Sequence, residues 1–134
     1  MGARRDLEEN YDFEIVDEFL DHYAMMVEMM EPLIIDLGKA ERYSNALDEL
    51  FRIFHNIKSA SGFLKIETMV RLSTFVEDSL ERMRYIEGPA NDEVISWLVS
   101  VNDMYIKWQE DLKMDHFMSK ISFSLLKLPD METF

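Results

Sequence analysis

Several residue types that mark particular classes of protein are missing or scarce in this chain. It has no cysteine, which excludes a disulfide framework, a thiolate zinc site and a cysteine nucleophile. Its four glycines and three prolines are too few for the many turns of an all-β sandwich. No run approaches about 18 uninterrupted apolar residues, and no signal peptide is evident, so we expect no membrane-spanning segment. These features predict a cytoplasmic protein.

Positive charge is also scarce. Fourteen lysines and arginines stand against 27 aspartates and glutamates, which gives a net charge of −13. Such a chain repels nucleic-acid phosphates and anionic membranes, so we expect neither as a partner. A basic or mixed protein surface is the more natural partner, and the strong negative charge favours a monomer. Hydrophobic residues make up 48% of the 134 positions, enough for one domain with one packed core.

Apolar residues recur every three or four positions along most of the chain, which is the period of amphipathic helices. This pattern predicts five helices, over residues 12–37, 44–64, 67–86, 92–113 and 115–128. Five such helices with short connections imply an antiparallel bundle. We expect residues 1–10 to be a flexible, frayed segment, residues 11–128 to form the domain, and residues 129–134 to be a C-terminal tail or the start of a linker.

The expected helix ends follow from capping residues and prolines. Ser44 is the predicted N-cap of the second helix, and Asn91 or Asp92 that of the fourth. Pro32 lacks a backbone N–H and falls within the first helix, which predicts a kink or a break near Met30.

One histidine is predicted to lie on the solvent-exposed face of the second helix. At about 100° per residue, His55 is roughly 130° from the centre of the apolar face. Lys58, Ser59 and Gly62 follow three, four and seven residues later, so they share its exposed strip. Imidazole is a nucleophile at neutral pH and can take a phosphoryl group, whose charge a nearby cation helps to bear. A solvated surface histidine and lysine remain the ordinary alternative.

The run from His55 to Leu64 reads His-Asn-Ile-Lys-Ser-Ala-Ser-Gly-Phe-Leu. It resembles the His-x-x-Lys-Gly/Ser signature of histidine phosphotransfer (HPt) domains. The isoleucine before the lysine is similar to the N-terminal P1 domain of CheA-type chemotaxis kinases, and the resemblance covers roughly residues 12–113. Glu77 falls where that domain has a glutamate that bonds the phosphorylatable imidazole.

The resemblance implies an all-α, five-helix HPt domain with an antiparallel four-helix core. Such a domain accepts a phosphoryl group from the catalytic domain of a histidine kinase and passes it to the aspartate of a response-regulator receiver domain. His55 would be the phosphoacceptor, Glu77 would orient its ring, and Lys58 would steady the phosphoryl oxygens. The implied partner-binding residues are Phe51, Ser59, Gly62 and Phe63. The domain would be a carrier rather than an enzyme, with no cofactor or metal of its own, because the receiver brings the metal and the kinase domain brings ATP.

Two departures from the family pattern leave other interpretations open. Lys65 stands where the family usually has glycine, which makes the end of the second helix bulkier and more cationic. Thr74 stands where some members carry a second histidine. Both allow an alternative function, a structural or adaptor bundle that has lost phosphotransfer. A metal-binding bundle is less favoured, because the chain lacks the Glu-x-x-His motif of di-metal bundles, and His22 and His116 have ordinary surface settings. The expected partner residues Phe51 and Phe63 could instead be tucked under the first helix, and Glu77 could be a capping or salt-bridged residue.

Overall fold

The computed structural model describes residues 2–131, which form five α-helices and one short 3-10 turn. The helices are α1 (Ala3–Asn10), α2 (Phe13–Asp36), α3 (Tyr43–Phe63), α4 (Glu67–Met83) and α5 (Asp92–Lys113), and the turn covers Phe123–Leu126. Helices α2 to α5 form an antiparallel four-helix bundle in which α2 packs on α3 and α5, and α3 packs on α2 and α4. The predicted all-α fold is therefore confirmed. Within residues 2–131, no helix is long and apolar enough to cross a membrane.

The interior of the bundle is filled by the apolar positions that the helical period predicts. The largest fully buried side chains are Trp108, Tyr23, Tyr105, Phe54, Met30, Ile34, Leu37, Leu50, Ile57, Met69, Leu72 and Leu80. Two buried hydrogen bonds cross this core: the Tyr23 hydroxyl donates to the Tyr105 carbonyl at 2.6 Å, and the Tyr105 hydroxyl pairs with Ser73 Oγ at 2.6 Å. These bonds connect α2 and α4 to α5 and satisfy polar groups that would be costly to bury alone.

One of the two predicted N-caps is confirmed and the other is wrong. Asn91 is the N-cap of α5, and its side-chain oxygen accepts a hydrogen bond from the Val94 N–H at 2.9 Å. Ser44 is not a cap, because α3 already begins at Tyr43 and has no side-chain cap. Asn91 faces the free N–H groups of the first turn, which is the geometry that makes a cap effective.

Proline does not interrupt the first long helix. Helix α2 continues through Pro32 to its end, so the predicted break does not occur, and the predicted kink stays a prediction. Pro32 removes the hydrogen bond that the Glu28 carbonyl would accept, but both residues are exposed. Water can therefore donate a hydrogen bond to that carbonyl, so the helix continues past Pro32 at little cost in stability.

The polar N-terminal segment, expected to be frayed, contains helix α1. Leu7 of this helix is buried, and the Ala3 N–H donates to the His116 carbonyl at 2.9 Å. Gly2 lies so close to Asp115 that a Cβ atom would overlap its backbone. The helix is thus held by contacts from a distant part of the chain, which no local pattern indicates.

The predicted helix from residue 115 to 128 is wrong. The chain after α5 is mostly irregular, and Phe117, one of the apolar residues at helical spacing in this segment, is 76% exposed. Two indole N–H groups hold this segment instead: Trp97 donates to the Leu125 carbonyl at 2.9 Å and Trp108 to the Ser119 carbonyl at 2.8 Å. Of the predicted tail 129–134, the last three residues lie outside the described part of the chain.

The corner between α3 and α4 contains a residue in the left-handed conformation. Lys65 has φ 58°. The Ile66 N–H donates to the Ser61 carbonyl at 2.9 Å and the Lys65 N–H to the Gly62 carbonyl at 3.2 Å, which is the Schellman pattern of helix C-termini. Glycine is the residue best suited to this position, and any other residue costs on the order of 1 kcal/mol there. Lys65 therefore occupies a position where the backbone itself favours glycine.

Candidate functional site

The packing of α3 against α4 brings His55, Lys58 and Glu77 together. His55 Nδ1 lies 3.2 Å from Glu77 Oε1, and Lys58 Nζ lies 2.8 Å from Glu77 Oε2. The two cation-forming groups share one carboxylate because they are three residues apart on α3 and point at the same turn of α4. The side chain of Glu77 is only 12% exposed, whereas that of His55 is 53% exposed. The arrangement therefore has a partly buried carboxylate and a more exposed imidazole.

The electrostatics of this cluster fix how the imidazole is bonded. Burial alone would raise the pKa of Glu77, but the hydrogen bonds from Lys58 and His55 outweigh it and lower that pKa below its ordinary value. Glu77 is thus ionised at neutral pH and can only accept hydrogen bonds. A neutral His55 ring must then carry its hydrogen on Nδ1 to donate to Glu77. The lone pair is left on Nε2, the nitrogen suited to nucleophilic attack.

An aromatic ring and a further cation lie on the other side of the imidazole. The Phe51 ring is nearly parallel to that of His55, with an interplanar angle of 9° and centroids 6.4 Å apart. The Arg84 guanidinium lies 4.5 Å from the centroid of the Phe51 ring. Arg84 in turn pairs with Asp48 at 3.3 Å and Glu81 at 3.2 Å. Phe51 is half-buried beneath Arg84 rather than under the first predicted helix.

Arg84 is a residue of this neighbourhood that the sequence analysis missed. A signal for it was present, since Arg84 follows Glu77 by seven residues and so lies two turns further along the same face of a helix. The cation of Arg84 lies beyond Phe51 and is not in contact with the imidazole itself. Its positive charge is offset by its ion pairs with Asp48 and Glu81.

Three of the predicted partner-binding residues lie exposed at the C-terminal end of α3. Ser59 and Gly62 are exposed, and a Cβ atom added at Gly62 would meet only Val70 Cγ2, at 3.9 Å. Phe63 is 63% exposed, and its ring centroid lies 5.9 Å from that of Tyr11. Small side chains therefore leave the surface beside the imidazole open, and the Phe63 ring lies at the edge of this surface.

An apolar groove of about 290 Å³ runs beside this strip between α2 and α3. It is lined by Ile15, Glu18, Phe19, His22, Met26, Asn56, Ala60, Phe63 and Leu64. Asn56 follows His55 directly in sequence, so the groove adjoins the imidazole.

A second set of histidine, carboxylate and lysine has looser geometry. His116 Nδ1 lies 4.0 Å and Lys107 Nζ lies 3.8 Å from Asp111 Oδ1. The other carboxylate oxygen of Asp111 accepts hydrogen bonds from the N–H and the hydroxyl of Ser119. Neither His116 nor Lys107 reaches hydrogen-bonding distance, so this set lacks the fixed imidazole of the first. Within residues 2–131, no three histidine, aspartate or glutamate side chains come together in a way that could hold a metal ion.

Thr74 does not extend the hydrogen-bond network around the imidazole. Its hydroxyl donates to the Val70 carbonyl at 2.7 Å, within its own helix. Thr74 is therefore satisfied locally, as threonines within helices often are.

Comparison with known proteins places this geometry in a family. The model of the Hpt domain matches residues 14–111, and the chain therefore belongs to the Hpt domain family. It is 31% identical over 71 residues to the sensor histidine kinase CheAY of Helicobacter pylori, which covers 53% of this chain and 9% of that protein. It is 27% identical over 102 residues to the chemotaxis protein CheA of Borreliella burgdorferi, which covers 76% of this chain and 12% of that protein.

The matched region is a small part of each relative. The chain spans about a tenth of the length of these two curated proteins. The His55, Lys58 and Glu77 cluster lies within the residues that the family model matches. No solved structure matches this chain significantly.

Proposed function

We propose that this chain is a phosphoryl carrier in a phosphorelay, with His55 as the phosphoacceptor. It accepts the group from the catalytic domain of a histidine kinase and passes it to the acceptor aspartate of a response-regulator receiver domain. In this role the chain is a substrate and carrier, not a catalyst by itself. The observation that carries the proposal is an imidazole whose side chain is 53% exposed while its Nδ1 is bonded to an ionised, partly buried glutamate.

The chemistry follows from this geometry. Nε2 of His55 forms a bond to the terminal phosphorus of ATP as the bond to the bridging oxygen breaks, and ADP leaves. The ring becomes positively charged while Nδ1 keeps its hydrogen, and the carboxylate of Glu77 stabilises that charge. Lys58 lies beside the imidazole and supplies positive charge for the phosphoryl oxygens. Transfer to an aspartate reverses the step, since Nε2 is then the leaving group.

The proposal is tested by labelling with a CheA-type kinase core and labelled ATP. Wild-type protein is compared with His55→Gln, and His116→Gln is the matched control, because His116 has a similar side-chain exposure and also faces a carboxylate. We expect label that survives alkali, is lost in acid, is present in His116→Gln and is missing from His55→Gln. Equal labelling of His55→Gln and wild type would overturn the proposal.

The alternative function, an adaptor bundle that has lost phosphotransfer, makes the opposite prediction. It rests on the two departures from the family pattern, Lys65 and Thr74. An adaptor would take no acid-labile label from the kinase core.

A further inference from the structure

Two exposed cations, Lys65 and Arg71, lie at the corner between α3 and α4, although the chain as a whole is acidic. Between positions 50 and 76 the cations are Arg52, Lys58, Lys65 and Arg71, and the one acidic residue is Glu67. This stretch therefore has a net charge of +3, whereas the whole chain has −13. Helix α2, by contrast, contains seven acidic residues and no lysine or arginine. Glu49 and Glu77 flank this stretch and pair with Arg52 and Lys58, so the positive charge that remains is at Lys65 and Arg71, and α2 is the more acidic side of the bundle.

Two of these four cations are not engaged with neighbours. Arg52 and Lys58 form ion pairs with nearby glutamates at 3.3 and 2.8 Å. Lys65 and Arg71 are exposed, and neither has an ion pair with a carboxylate of residues 2–131. The two line an open concavity of about 420 Å³ together with Gly62, Glu67 and Val70. Unpaired cations beside an open surface are available to a partner.

Lys65 is too far from His55 to touch a phosphoryl group on it. Lys65 follows His55 by ten residues, which is about 15 Å along a helix at 1.5 Å per residue. A partner surface of standard size, about 800 Å² on each side, extends roughly 16 Å from its centre. A protein centred on His55 would therefore reach Lys65, while the transferred group would not, and Arg71 lines the same concavity as Lys65.

The backbone at Lys65 argues against a purely structural explanation. Its left-handed conformation is the one for which glycine is preferred, so lysine costs on the order of 1 kcal/mol there. A cation near a helix C-terminus returns only about 0.3–1 kcal/mol through the helix dipole. Stability alone therefore gives no clear reason for lysine at this position.

We propose that Lys65 and Arg71 form a docking contact for the acidic surface around the acceptor aspartate of the receiver domain. This inference rests on the proposed function and adds the residues that select the receiver. An acceptor site that offers an aspartate and holds a divalent cation needs several carboxylates, so its surface complements this positive corner. The acidic side of α2 repels the same surface, and the two effects together orient the receiver over α3 and α4.

The test separates loading of His55 from transfer to the receiver. Wild-type protein and variants are first loaded with phosphoramidate, which needs no partner protein. They are then mixed with single-domain receivers and Mg²⁺, and the second-order transfer rate is measured from low to high salt. The test variant is Lys65→Gly with Arg71→Gln. The control is Lys120→Gln with Lys127→Gln, which removes the same charge from the C-terminal segment.

We expect the test variant to load normally and to fold at least as stably as wild type, because glycine relieves the left-handed residue. Its transfer rate at low salt should fall at least about fivefold and approach that of wild type at high salt. The control should stay within about twofold of wild type.

A test variant that transfers as fast as the control would overturn the docking proposal. A variant that is slowed only in labelling by a kinase core would assign the corner to the kinase domain instead, and would also overturn it. The outcome for the proposed function is distinct. Wild-type protein that takes no label on His55, or passes it to no receiver, would refute the carrier role itself, and the docking contact would fall with it.

Discussion

Removal of the Glu77 carboxylate is the most direct test of how the imidazole is prepared for reaction. Glu77→Ala takes away the acceptor that lies 3.2 Å from His55 Nδ1 and the partner of Lys58 at 2.8 Å. A hydrogen bond to a charged group contributes about 1.5–3 kcal/mol. If this energy holds the ring in the reactive tautomer, its loss should slow phosphorylation by about 10- to 100-fold, since about 1.4 kcal/mol corresponds to a factor of ten.

The assay is the rate at which His55 takes label from phosphoramidate, a donor that makes no protein contact. Asp78→Ala is the matched control, because Asp78 is the next residue on α4, is exposed and forms no ion pair within residues 2–131. Glu77→Gln keeps an oxygen that can accept from Nδ1 but removes the charge, so its rate should fall between those of wild type and Glu77→Ala. A Glu77→Ala protein that labels as fast as wild type would refute the orienting role.

The fold should survive the Glu77→Ala substitution. The side chains of His55 and Lys58 are 53% and 32% exposed, so both can be hydrated after the carboxylate is removed. We therefore expect the free energy of unfolding to fall by no more than about 1 kcal/mol. Urea denaturation measures this directly, and a loss of several kcal/mol would mean that the cluster is part of the structural core.

Three further predictions concern pH and stability. The pKa of Glu77 is lowered in the folded state, so its stabilising contribution is present above the ordinary pKa of glutamate and is lost as pH falls through the lowered value. Acid denaturation of the Glu77→Gln protein should lack this component. Identical acid denaturation profiles for wild type and Glu77→Gln would contradict the assignment. Gly62→Ala should stabilise the protein by about 0.5–1 kcal/mol in urea denaturation, because α3 gains helix propensity and the new Cβ meets only Val70 at 3.9 Å. A loss of stability would show that the position is more crowded than the structure indicates. Tyr105→Phe should cost about 1–3 kcal/mol in thermal or urea unfolding, because Ser73 Oγ loses its partner in the core; no change would mean that the bond contributes nothing net.

The bundle and the site cluster could be predicted from sequence because both depend on local spacing. The apolar stripe of each long helix repeats at the helical period, and packing follows that stripe. His55 and Lys58 share a strip for the same reason. Glu77 was assigned by resemblance to the family, because the contact between α3 and α4 is a tertiary contact and helical spacing says nothing about it. Arg84 was missed although its spacing from Glu77 indicated a shared face.

The terminal segments could not be predicted, because long-range contacts decide them. Helix α1 has only one buried residue, Leu7, and is fixed by the chain near Asp115. The segment after α5 has apolar residues at helical spacing, but the indole N–H groups of Trp97 and Trp108 bind its carbonyls and hold it extended over the bundle. A sequence pattern does not reveal which distant donor a carbonyl will meet.

The seven acidic residues of α2 and the exposed Lys65 and Arg71 at the α3–α4 corner distribute charge unevenly, so that α2 forms the more negative side of the molecule. A positively charged chromatography matrix should therefore bind the protein through the acidic residues of α2 and leave the His55 imidazole exposed to solvent. Protein immobilised in this way should still take label from phosphoramidate at nearly the rate seen in solution. Strong protection of His55 on the matrix would show that the molecule does not orient as its charges indicate.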